Sequence, residues 1–171
     1  IGVDVGKSLI ENDMVSTARE IIADSDDKGC ELVLPSDVVI APALEAGVFT
    51  DVVQIAGVPN DKMILDIGPE SVSGLSAKIT ECKTLLWNGP LGAFEVPPFD
   101  ESTNAVAIAA AKLTRNGALT SIAGGGDTVA ALNQAGVAKD FTYVSTAGGA
   151  FLEWLEGKKL PGVAALSETG K

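Results

Sequence analysis

The chain has 171 residues, 46% hydrophobic and 20% charged, which suits one globular domain or part of a larger one and excludes wholesale disorder. A formal net charge of −11 with no Lys/Arg cluster argues against a nucleic-acid partner, and no apolar run approaches the about 20 residues of a membrane span. Histidine is absent, which removes Ser-His-Asp hydrolases, Cys-His proteases and His-ligated zinc.

A cytoplasmic protein is expected, with Cys30 and Cys82 as reduced, buried thiols, because neither shows metal or CxxC spacing. The chain opens at Ile1 instead of Met, so a fragment is expected and a missing targeting signal proves little.

In chain order, Gly2-x-x-x-Gly6-Lys7-Ser8 resembles a P-loop but has three residues between its glycines where four are needed. It reads instead as a helix start. Ser8 and Glu11 have capping-box spacing, and Leu9, Val15, Ala18, Ile21 and Ile22 approximate the apolar face of a helix ending before Gly29. Glu31 to Leu34 reads as a short strand, Asp37 to Ala41 as a second and Asp51 to Ile55 as a third, within a Gly/Pro-punctuated connection. The apolar run MILDIGP (Met63 to Pro69) precedes a helix over about 70–82, followed by a strand over 84–87. An Ala-rich helix runs over 101–115 to Asn116-Gly117, then strand 118–123, helix 127–134, strand 141–145 and helix 147–156. The tail 157–171 reads as an extended arm. Strands alternating with helices imply crossover connections. The expected fold is therefore α/β, a three-layer αβα Rossmann-like domain with about four strands in a mostly parallel sheet, with no internal repeat or domain linker.

Apolar runs that end in small residues carry the functional signal, because ligands in open α/β sheets sit outside the carboxyl ends of the strands. In Gly124-Gly125-Gly126-Asp127-Thr128 the glycines allow close backbone approach, and Asp127 suits either Mg²⁺ or a helix cap. A dinucleotide fingerprint would need Gly or Ala at position 129, where Val129 stands. Ser145-Thr146-Ala147-Gly148-Gly149-Ala150 suits an anion at a helix start or simply close helix–sheet packing. In Trp87-Asn88-Gly89-Pro90, Asn88 suits a phosphate or a plain turn, and Glu95 suits ribose hydroxyls or solvent. Trp87 and Trp154 read as packing residues.

Taken together, LDIGP, WNGPLGAFE, GGGDT and STAGGAFLEWLEGKKLPGV, in this order and approximate spacing, resemble the C-terminal, nucleotide-binding domain of phosphoglycerate kinases. The resemblance covers residues 1–171 but less than half of that family's protein. The N-terminal 3-phosphoglycerate domain and the GGAK-type segment opening the C-terminal domain fall outside it, so the domain is expected to be truncated on its N-terminal side. It implies Asn88 on the nucleotide phosphates, Glu95 on the ribose, Asp127 on Mg²⁺ and Thr128 on a phosphate. The Gly125–Gly126 turn would belong to the same nucleotide site, and Gly148 and Gly149 would present backbone donors to the transferred group. Leu65, Gly92 and Ala93 would line the adenine slot. Leu44 stands where the family often carries Phe, and Ala147 replaces the first glycine of the usual turn. The implied reaction is Mg-dependent phosphoryl transfer between 1,3-bisphosphoglycerate and ADP, giving 3-phosphoglycerate and ATP, in a parent expected to be monomeric. These residues alone are expected to be inactive. A non-catalytic nucleotide-binding module and an inert fragment stay open as alternatives.

Overall fold

The structure, a computed structural model, describes residues 2–145 and 147–168. Ile1, ahead of the Gly2–Ser8 stretch, and Thr146, in the last glycine turn, lie outside the described residues. The chain divides into two compact units, residues 1–78 with 91–106 and residues 79–90 with 107–171.

The first unit opens with helix α1 (Val15–Asp27) after a short 3-10 turn at Asn12–Met14. It contains strands β1 (Asp37–Ala41), β2 (Asp51–Gln54) and β3 (Met63–Ile67), and helix α2 (Pro69–Glu81) starts in it. These strands form an antiparallel sheet in the order β2-β1-β3, with Val39 opposite Val52 and Val38 opposite Ile67. The mostly parallel expectation does not extend to them. The reason is the first connection: 42–50 holds no α-helix and turns the chain straight back, so β2 pairs antiparallel with β1, and β3, on the other side of β1, runs with β2. Val38, Ile40 and Val58 form the core here, with Val53, Ile55 and Ile64 packed against them.

Asp37 fastens this sheet to α2. Its carboxylate, 1% exposed, accepts from Glu70 N at 3.0 Å, Ser71 N at 2.7 Å and the Ser71 hydroxyl at 2.6 Å. Burial pushes the carboxyl up, but the Ser71 hydroxyl and the Ser71 and Glu70 amides outweigh it and hold it below its ordinary value. A helix start is electropositive and lacks partners for its first amides, so a carboxylate from a neighbouring strand serves as its cap.

The second unit contains strands β4 (Thr84–Asn88), β5 (Thr120–Gly124) and β6 (Tyr143–Ser145), all parallel and ordered β4-β5-β6. Its helices are α4 (Gly126–Gln134), α5 (Gly148–Leu155) and α6 (Pro161–Glu168). Helix α3 (Glu101–Arg115) begins in the first unit and continues into this one. Ala107, Ala110 and Ala111 are fully buried, and Thr114 Oγ1 lies 2.8 Å from Ser121 Oγ on β5. Small side chains let this helix come close to the sheet, as the alanine run suggested. Trp87 is buried, with its ring 6.2 Å from that of Phe141.

Several expectations change. Residues 31–34 form no strand, and Leu32, Val33 and Leu34 are exposed. Ser8 caps no helix: its hydroxyl donates to Val5 O at 2.6 Å and accepts from Ile64 N at 2.8 Å. Leu9 is fully exposed, and α1 starts at Val15 with Ser25 its only buried residue. The tail is helical, because Pro161 takes the first helical position, where a missing N–H costs nothing. Trp154 is 59% exposed, and both cysteines are exposed with neither in a disulfide.

Candidate functional site

The three parallel strands end level with one another. Asn88 lies beside Gly124, and Gly124 beside Ser145, so three turns emerge along one carboxyl edge. The turn after β4 is clipped from two directions. Trp87 Nε1 donates to Gly89 O at 2.6 Å, and Gly89 N donates to Thr128 Oγ1 at 2.7 Å. Thr128 is 1% exposed, so its hydroxyl oxygen ties this turn to the first turn of α4.

Gly125 is the residue before α4, with φ +100°, a conformation that side chains rarely adopt. Asn88 Oδ1 would stand 3.1 Å from a Cβ placed there. At Gly148 a Cβ would collide with Gly125 N and lie 3.1 Å from Gly124 C, so the start of α5 rests directly on the Gly124–Gly125 backbone. Asn88, Gly125, Thr128 and Gly148 are thereby brought to one place. Gly126 and Gly149 have open space above them.

Among the described residues no side chain caps the start of α4 or α5. Their first amides are available to an anion, which the helix dipoles also favour. Asp127 is not the cap of α4, because Gly125 holds that position. Its carboxylate is exposed in the first turn, with no partner among the described residues. Magnesium binds through one or two carboxylates together with substrate phosphates and water, so a single uncommitted carboxylate beside uncapped helix starts fits it. An all-protein cage does not fit: among the described residues no group of three or more His, Cys, Asp or Glu can hold a metal.

The other expected residues belong to the first unit. Ala93 N donates to Leu65 O at 2.9 Å, and Leu65, Gly92 and Ala93 line one groove of about 420 Å³. Leu44 and Leu65 line another of about 600 Å³, whose wall includes Val5, Lys7 and Leu9. Glu95 is exposed in the loop that follows Ala93. Two features escaped the sequence. The Gly6-Lys7-Ser8 stretch is a groove wall, held to β3 through Ser8. Asp66, inside an apolar strand, is 2% exposed: burial pushes its carboxyl up, hydrogen bonds from Ser102 and Ile67 partly offset this, and Asp100 adds to the rise. A lone acidic residue in MILDI was the available signal.

Glycine turns gathered along the carboxyl edge of a parallel sheet define an α/β protein of the mononucleotide-site type. The family model described as phosphoglycerate kinase matches residues 1–158. The chain is 59% identical to a phosphoglycerate kinase of Dinoroseobacter shibae over 165 residues, covering 96% of this chain and 42% of that protein. It is 61% identical to one from Ruegeria sp., with the same coverage. The solved structure of phosphoglycerate kinase from Coxiella burnetii matches with TM-score 0.91 and 39% identity, covering 99% of this chain and 43% of that one. This chain belongs to the phosphoglycerate kinase family. It spans about two fifths of the length of these relatives.

Proposed function

We propose that the chain is the nucleotide-binding part of a phosphoglycerate kinase, a glycolytic phosphotransferase of the cytoplasm whose parent is monomeric. On this reading residues 1–171 are part of the C-terminal domain, and the acid substrate is held by a separate N-terminal domain. The reaction is transfer of the acyl phosphate of 1,3-bisphosphoglycerate to ADP. The bond from phosphorus to the carboxyl oxygen breaks as the bond to the terminal ADP oxygen forms, leaving 3-phosphoglycerate and ATP. Little covalent work falls to the protein in such transfers, which depend on positioning and charge stabilisation.

Leu44, Leu65, Gly92 and Ala93 hold the base, and Glu95 accepts from the ribose hydroxyls. Asn88, the amides of the Gly125–Gly126 turn and the Thr128 hydroxyl proton hold the phosphates. Amides at Gly148 and Gly149 donate to the transferring group, where charge develops. Asp127 would hold magnesium, which would supply positive charge against the phosphates. The observation that carries this reading is the level ending of three parallel strands in uncapped glycine turns with one free carboxylate among them. A second reading, a nucleotide-binding module without catalysis, is favoured by the 42% coverage of the relatives. For the 171 residues taken alone we adopt it: weak nucleotide binding and no turnover.

Calorimetric titration with Mg-ADP tests the site. Saturable heat is expected, and Asp127→Ala should weaken binding by about tenfold, or about 1.4 kcal/mol. No heat and no thermal shift with Mg-ADP would remove the nucleotide assignment.

A further inference from the structure

Asp66 is a buried carboxylate with no cation beside it among the described residues, an arrangement that costs free energy unless hydrogen bonds compensate. Backbone amides of Ile67 and Ser102 and the Ser102 side chain are its partners. Oδ1 accepts from Ile67 N at 2.9 Å, and Oδ2 accepts from Ser102 N, in the first turn of α3, at 3.1 Å. Ser102 Oγ returns a bond to Ile67 O at 2.7 Å, closing a ring between the end of β3 and the start of α3.

The carboxylate also carries a third segment. A Cβ on Gly92 would strike it and would lie 2.6 Å from Phe99 O, so the 91–93 turn lies flat upon Asp66. One end of that turn is tied to α3 by Leu91 N donating to Thr103 Oγ1 at 3.0 Å. The other is tied to β3 by Ala93 N and Leu65 O. Asp66 therefore joins all three segments around the Leu65–Gly92–Ala93 groove, and it lines that groove itself.

We propose that Asp66 is a positioning residue for the base of the nucleotide, holding the Gly92–Ala93 turn at the spacing from Leu65 that a flat ring requires. This rests on the nucleotide reading above. Asp66 is not among the residues assigned to the phosphates or to the transferring group. Its loss should therefore act on ligands that carry a base and spare those that do not.

The test titrates the 171-residue chain with Mg-ADP and with Mg-pyrophosphate, which has no base. Asp66→Ala should weaken Mg-ADP by about tenfold and Mg-pyrophosphate by less than about twofold. Asp66→Asn, which keeps an acceptor for Ser102 N, should recover part of the loss. If Asp66→Ala does not fold, Asp66→Asn carries the test, with a smaller loss confined to Mg-ADP. Equal weakening of both ligands, or no change in either, overturns the proposal. Wild-type chain that binds neither ligand refutes the nucleotide reading and this proposal with it; wild-type binding with unselective variants refutes this proposal alone.

Discussion

A methyl group at Gly148 has nowhere to go, while one at the next residue meets open space. Overpacking of this kind costs about 1–3 kcal/mol. Gly148→Ala should therefore lower the unfolding free energy read from urea titration by that amount, and Gly149→Ala should stay within about 0.5 kcal/mol of wild type. The pair separates backbone approach from helix propensity, since both changes improve the latter. Asp37 makes a prediction in pH. Its folded carboxyl is held below the ordinary value, so its contribution is present above the unfolded pKa of about 3.9 and is lost as pH falls through the lower folded value. Asp37→Asn should cost about 2 kcal/mol at neutral pH, and that gap should close as the solution is acidified below about pH 4. Asp66, held above its ordinary value, has the opposite sign: wild type should gain on Asp66→Asn as pH falls towards about 4. Denaturant midpoints across a pH series read both.

At the scale of elements, helices and parallel strands were legible because each signals itself locally. The Ala-rich helix α3, the run Thr84–Asn88 and the Gly126–Gln134 helix need only a short window of sequence to recognise. The glycine turns were legible for a related reason: a buried strand that must turn sharply under a helix start leaves room for little else. Pairing direction was less accessible. Val38 and Ile67 meet across many residues of chain, and while the helix-free connection 42–50 hinted that β2 would pair antiparallel with β1, no local signal set the direction of β3. Asp66 was harder still, since Ser102, its partner, lies 36 residues away. Pro161 misled in the other direction, because proline stops a helix from within but starts one from its first position. The candidate site residues were named from the turns, whereas Asp66, proposed to set the groove's spacing, was hidden in an apolar strand.

For the molecule as a whole, the chain matches the family model over residues 1–158 and spans 42% of the length of its relatives, and the turns proposed to hold nucleotide all lie within it. Phosphoryl transfer needs both substrates held within reach, and orientation of this kind supplies about 7–11 kcal/mol of a barrier. A site that binds one of them forfeits that share. A coupled assay with 1,3-bisphosphoglycerate and Mg-ADP should accordingly detect no ATP above background, at concentrations where calorimetry still shows nucleotide heat. ATP formation by the purified 171-residue chain would contradict this.

The two exposed thiols fall one to each compact unit, Cys30 in the first and Cys82 in the second. With no other cysteine in the sequence, a pair of spin labels can be attached without engineering a single residue. Dipolar spectroscopy on that doubly labelled chain would record the separation of the units directly, and adding Mg-ADP would show whether the nucleotide narrows its spread.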